Sequence, residues 1–83
     1  MSPLRICVEK WFLRNRPSQE YQFDVALSLP ISDQKWIDSL LTVSLISEIE
    51  FCKQTFIGDQ LIFSMRELTL GEFLFQIESE DLN

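Results

Sequence analysis

The chain has 83 residues, a formal net charge of −6, and no histidine, with Gly58 and Gly71 as its glycines and Cys7 and Cys52 as its thiols. That length leaves room for one domain, residues 1–83. The composition excludes a histidine base, a glycine-rich phosphate loop and a Cys/His metal cluster, and so removes most routes to catalysis.

Leu4 to Leu13 is rich in apolar, β-branched and aromatic residues. Read as a strand, it has one face formed by Leu4, Ile6, Val8 and Phe12 and another by Cys7, Trp11 and Leu13. Both faces are apolar, which suits a strand covered on both sides. Tyr21, Phe23, Val25, Leu27 and Leu29 then alternate with Gln22, Asp24, Ala26 and Ser28, the period of a half-buried strand. Asn15 to Gln19 has turn composition, so the two segments are expected to pair as an antiparallel hairpin.

Pro30 closes the second strand, and Ser32 or Asp33 is placed to cap a helix beginning near Asp33, with Trp36, Ile37, Leu40 and Leu41 at helical spacing. Beyond Thr42 two readings stay open. One ends the helix near Ser44 and starts a strand near Leu45; the other is a single helix to about residue 50. Gly58-Asp59 has the composition of a two-residue hairpin turn. Pairing outward from it puts Ile57, Ile62, Phe51, Ile49 and Leu68 on a second apolar face that needs an outside cover. Thr69 and Glu72 form a capping box, and Leu70, Phe73, Leu74 and Ile77 recur at i, i+3, i+4 and i+7, which predicts a short helix with one buried stripe. Glu78, Glu80 and Asp81 oppose the helix macrodipole, so residues 78–83 are expected to fray as an acidic tail. The fold expected is α+β: one domain with an antiparallel sheet of about four strands and two helices, in the order ββαββα.

A chain of this size buries roughly 64% of its unfolded surface on folding. With 46% of residues apolar, that interior does not hide all of them, and a surplus outside points to a partner. The charge is uneven. Arg5, Lys10, Arg14 and Arg16 face one carboxylate, Glu9, in the first sixteen residues, and an acidic body follows. Such a body repels phosphate backbones, so direct binding to nucleic acid is not expected. The longest uncharged run, Ser39 to Ser47, is far short of the roughly 20 residues that span a bilayer, and charges at Arg5, Glu9 and Lys10 interrupt any signal-like apolar region. A cytoplasmic location is the default. Cys7 and Cys52 lie in apolar, strand-like stretches, where free buried thiols are the expected state.

Candidate chemistry is sparse. Glu48 with Glu50, and Glu78 with Asp81, are the carboxylate pairs a histidine-free chain retains; without a desolvating cleft they read as solvated charge. No cofactor and no metal site are expected. Partner-binding candidates are Trp11 with Arg14 and Arg16 beside it, Ile62 on the uncovered face, and Phe75, off the stripe of the last helix. Trp and Arg dominate many interfaces; a core Trp11 flanked by solvated arginines is the competing account. The function expected is non-catalytic protein binding, as an accessory or adaptor subunit that completes its cover on another protein or a second copy of itself. The alternative is an acidic inhibitor, of the immunity, antitoxin or anti-defence type, that blocks a basic nucleic-acid-binding or catalytic surface of a target.

Overall fold

A computed structural model describes residues 3–80, and its elements are helices: α1 (Pro3–Asn15), α2 (Phe23–Leu27), a 3₁₀ turn (Ile31–Asp33), α3 (Ser39–Lys53), α4 (Asp59–Ser64) and α5 (Leu70–Glu80). Among the described residues no sheet forms. The β feature present is an isolated antiparallel bridge between Pro30 and Thr69. The expected α+β fold and its ββαββα order are therefore wrong; the domain is all helical.

The reason is visible in α1. Leu4, Val8, Trp11 and Phe12 stand at i, i+4, i+7 and i+8, and all four are buried. That is the stripe of an amphipathic helix. A run with seven apolar residues in ten satisfies period two as easily as period four, and the two expected strand faces were this stripe plus Ile6 and Leu13, which stay exposed, and Cys7, which is half-buried. Pro3 fits the first turn, where its missing N–H costs nothing. Arg16 N donates to Phe12 O at 2.8 Å, and Asn15 Nδ2 donates to Trp11 O at 2.8 Å, closing the other end.

The alternating segment 21–29 becomes the five residues of α2 and its flanks, with Ala26 and Leu27 turned inward. A helix of little more than one turn cannot display a 3.6-residue period, and what reads as alternation there carries no strand. Gln34 is buried, and its Nε2 donates to Ala26 O at 2.9 Å and Leu29 O at 3.2 Å, tying the 3₁₀ turn to the end of α2. The helix expected from Asp33 begins instead at Ser39. Ser32 and Asp33 belong to the 3₁₀ turn, and Asp38 is the cap, its Oδ1 accepting from Leu41 N at 2.8 Å.

Once started, α3 runs unbroken to Lys53, so no strand begins near Leu45; the longer-helix reading was the nearer one. Leu41, Leu45, Ile49 and Cys52 line its inner side at four-, four- and three-residue steps, against α1. This packing brings Cys7 of α1 beside Cys52 of α3, with Cα atoms 6.7 Å apart, and the two form a disulfide. The expectation of free thiols is corrected with the fold: it placed both cysteines in strand-like stretches, whereas the packing of α1 on α3 brings them together. Gln54 ends α3 in the left-handed region at φ 54°, where glycine is the usual residue.

Gly58-Asp59 is no hairpin turn either. Gly58 has φ −68° and precedes α4 as its N-cap. The chain here is held by burial of Ile57 and Met65 on either side of α4 and by Ile57 N donating to Glu50 Oε2 at 2.9 Å. The capping box of α5 is in place: Glu72 N donates to Thr69 Oγ1 at 3.1 Å and Thr69 N to Glu72 Oε1 at 2.9 Å. Leu70, Phe73, Leu74 and Ile77 are all buried, against α1 and α2 rather than a sheet. A Cβ on Gly71 would come within 3.1 Å of Leu27 O, so this glycine is what lets α5 approach α2 so closely. The helix stays regular to Glu80 through the start of the expected frayed tail; Asp81 to Asn83 lie outside the described residues.

Candidate functional site

The largest apolar surplus sits on the outside of α3. Leu40, Val43 and Phe51 recur at i, i+3 and i+11, with Ser47 between them at i+7, so they fall along one line of the helix. This line is opposite the Leu45/Ile49 stripe. Leu40 is 79% exposed and Phe51 83%, and Val43 is also exposed. Directly after α3, Phe56 is 92% exposed, and Phe63 of α4 is exposed as well. Single exposed apolar residues are ordinary; a helix apolar on both sides, followed by two more bare phenylalanines, is the pattern of an uncovered contact surface.

Phe75 is exposed on α5 and borders a groove of about 650 Å³, with Arg5, Glu9, Asp24 and Glu78 on its lining. A smaller hollow of about 200 Å³ lies beside the start of α3, lined by Ile37, Asp38, Ser39, Thr42, Met65 and Arg66 among others. Ser39 itself is exposed.

The other sequence-derived candidates lie on α1 and just past its end, and on α4. Trp11 is buried: its ring stacks on Trp36 with centroids 6.2 Å apart, and its Nε1–H donates to Ser44 Oγ at 3.0 Å. It therefore presents no free face, as in the competing core account. Arg14 reaches Glu48 Oε1 at 3.2 Å in an exposed ion pair, a contact worth about 0–1 kcal/mol. Arg16 is half-buried and donates to the Tyr21 carbonyl at 3.0 Å. Ile62 is half-buried against the core on α4. Trp11 and Arg14, one turn apart on α1, both reach α3, at Ser44 and Glu48, whereas Ile62 and Phe75 stand on α4 and α5. What sequence reading passed over was the Leu40/Val43/Phe51 line. Its spacing was legible, but treating 45–51 as a strand divided it.

Catalytic geometry does not assemble from the candidate carboxylates. Glu48 and Glu50 are two residues apart on a helix and so do not face each other. Glu48 is engaged by Arg14, and Glu50 by the amide of Ile57. Asp81, the intended partner of Glu78, lies outside the described residues. Among the described residues no group of three or more His, Cys, Asp or Glu side chains is placed to hold a metal ion, and no helix is long and apolar enough to cross a membrane. No family model, curated protein or solved structure matches the chain.

Proposed function

We propose that this chain is a non-catalytic docking domain, a small accessory or adaptor subunit that covers its surplus apolar surface on another protein or on a second copy of itself. The single observation carrying this reading is the exposed line Leu40, Val43 and Phe51 on a helix whose opposite face is already in the core. Burying these three side chains yields about 1.5–3 kcal/mol each. Association costs about 4–15 kcal/mol, so the line alone is marginal and further exposed side chains, such as Phe56 and Phe63, are needed to complete the contact.

Light scattering coupled to size exclusion tests this reading. At tens of micromolar the chain should run as a dimer, a larger species or an aggregate, and Phe51→Ser with Leu40→Ser should return a monomer or abolish capture of a partner from native cells. A sharp monomer peak that binds no hydrophobic dye and captures nothing overturns it. Salt separates the acidic-inhibitor reading: affinity that falls steeply between about 50 and 300 mM salt and ignores the α3 substitutions belongs to charge-steered blocking of a basic target.

The cytoplasm remains the proposed location. Reducing surroundings there would open the Cys7–Cys52 bond. Trapping thiols by alkylation at lysis reads its state directly: free cysteines fit the cytoplasm, and an intact disulfide moves the protein to an oxidising compartment.

A further inference from the structure

Trp36 is the hub of an aromatic cluster on the side of the molecule formed by α1 and the 20–36 segment. Besides stacking on Trp11, it meets Phe12 and Tyr21 edge-on, with centroids 5.7 and 6.0 Å away and ring planes inclined at 68° and 67°. These three rings border a half-open cleft of about 360 Å³. Its lining also holds the apolar side chains of Val25, Ala26 and Leu29 and two exposed carboxylate residues, Glu20 and Asp33. Lys35 is the basic residue on the same lining, so acidic residues outnumber basic ones there by two to one. Buried Gln34 also lines the cleft; with its Nε2 committed to two backbone carbonyls, its amide oxygen is the acceptor it has left.

We propose that this cleft receives an arginine side chain from a basic segment of the partner protein. The inference rests on the docking reading above and names the chemistry of what docks. Aromatic faces attract cations, and a planar guanidinium stacks on an indole or phenol ring. Its aliphatic stem matches Val25 and Leu29, as the stems of long basic side chains match apolar surface elsewhere. Glu20 and Asp33 complete the match, since carboxylates accept from the guanidinium fork. A lysine ammonium is more strongly hydrated and stacks less well. An anion would meet two carboxylates on a chain of net charge −6. A purely apolar side chain would leave both carboxylates facing hydrocarbon. The volume lies at the small end of ligand cavities, the scale of one or two side chains rather than a whole peptide.

The experiment uses the full chain, isotopically labelled, and an acetylated, amidated hexapeptide of alternating leucine and arginine, followed by amide and indole chemical shifts. The arginine peptide should shift the Trp36 Nε1–H and the Tyr21 amide saturably. The same peptide with citrulline, which keeps the shape and loses the charge, should bind at least about tenfold more weakly. E20Q with D33N should weaken the arginine peptide by a similar factor while leaving the fold intact, since both side chains are exposed. Equal binding of the citrulline peptide, no effect of the double substitution, or no shift at millimolar peptide each overturns the proposal. Shifts confined to Leu40, Val43 and Phe51 also overturn the cleft assignment but leave the docking function standing. A monomer that captures nothing in the light-scattering test overturns the docking function itself.

Discussion

Helices α3 and α5 are built from similar proportions of apolar residues, yet they stand in the molecule differently. In α5 the apolar residues segregate: Leu70, Phe73, Leu74 and Ile77 are buried, and Phe75 alone of its large apolar side chains faces out. In α3 they lie on both sides, with Leu45 and Ile49 in the core and Leu40, Val43 and Phe51 outside. Segregation tells a helix which way to face. A helix apolar all round does not declare its inner side, and burial on one side leaves the other needing a cover that the chain itself does not provide. In the proposed function, α5 supplies stability and α3 the docking face.

The sharpest way to break that assignment is Phe73→Ala, which empties a site 1% exposed and should cost about 3–5 kcal/mol, enough to unfold so small a domain in urea or on heating. Unchanged thermal stability would place α5 outside the core. Next in size is the tie that holds α3 in place. Replacing Cys7 and Cys52 together by serine releases a link between residues 45 apart in sequence and should cost about 2–5 kcal/mol by chemical denaturation. If both helices already hold each other through packing alone, the loss will fall below about 1 kcal/mol, and α3 owes its position to the core and not to the bond.

Smaller effects sharpen the contrast at the helix ends and on the outer face. Thr69→Ala removes one half of the capping box of α5 and should cost about 1 kcal/mol; no change would mean that the Pro30–Thr69 bridge and the Leu70 N to Leu29 O bond of 3.0 Å suffice to start the helix. Phe51→Ser should change stability by less than about 0.5 kcal/mol, since the side chain is solvated, while weakening capture by about 2 kcal/mol or more if it is a hot spot. A large loss of stability with unchanged capture reverses the roles of the two faces of α3.

Legibility along the chain followed the same division. The start, cap and buried stripe of α5 were readable because each signal there is local and several agree: Thr69 and Glu72 three residues apart, then one unambiguous period. In α1 the correct spacing, Leu4/Val8/Trp11/Phe12, was equally present, but Ile6, Cys7 and Leu13 filled the gaps and made the period-two reading as good. In α3 Glu48 intrudes near the inner side and Phe51 decorates the outer one, so neither period stood out. Asp38 followed by Ser39 was the true start signal, and Ser32-Asp33 a competing one six residues earlier. Both are capping residues; what chose between them is the buried Gln34, whose two backbone bonds hold the 3₁₀ turn against α2 and prevent a helix from propagating through it. Of the candidate contact residues, Phe75 is exposed where its phase on α5 put it, whereas the burial of Trp11 depends on Trp36 and Ser44, residues 25 and 33 positions away.

By itself the sequence determined a small acidic chain, poor in catalytic side chains, with more apolar surface than its interior can take and a well-specified helix at 70–80. These follow from composition and, for α5, from several local signals that agree with one another. Whether the first fifty residues form strands or helices was decided only in the tertiary structure. An apolar run satisfies either period, and the choice falls to whichever partners complete its burial. Here α1 packs on α3 and α5 on both α1 and α2. The same packing chose the Cys7–Cys52 pairing, left Leu40, Val43 and Phe51 outside, and set Trp36 against Phe12 and Tyr21 to make the cleft, because each depends on residues that are distant in sequence meeting in space.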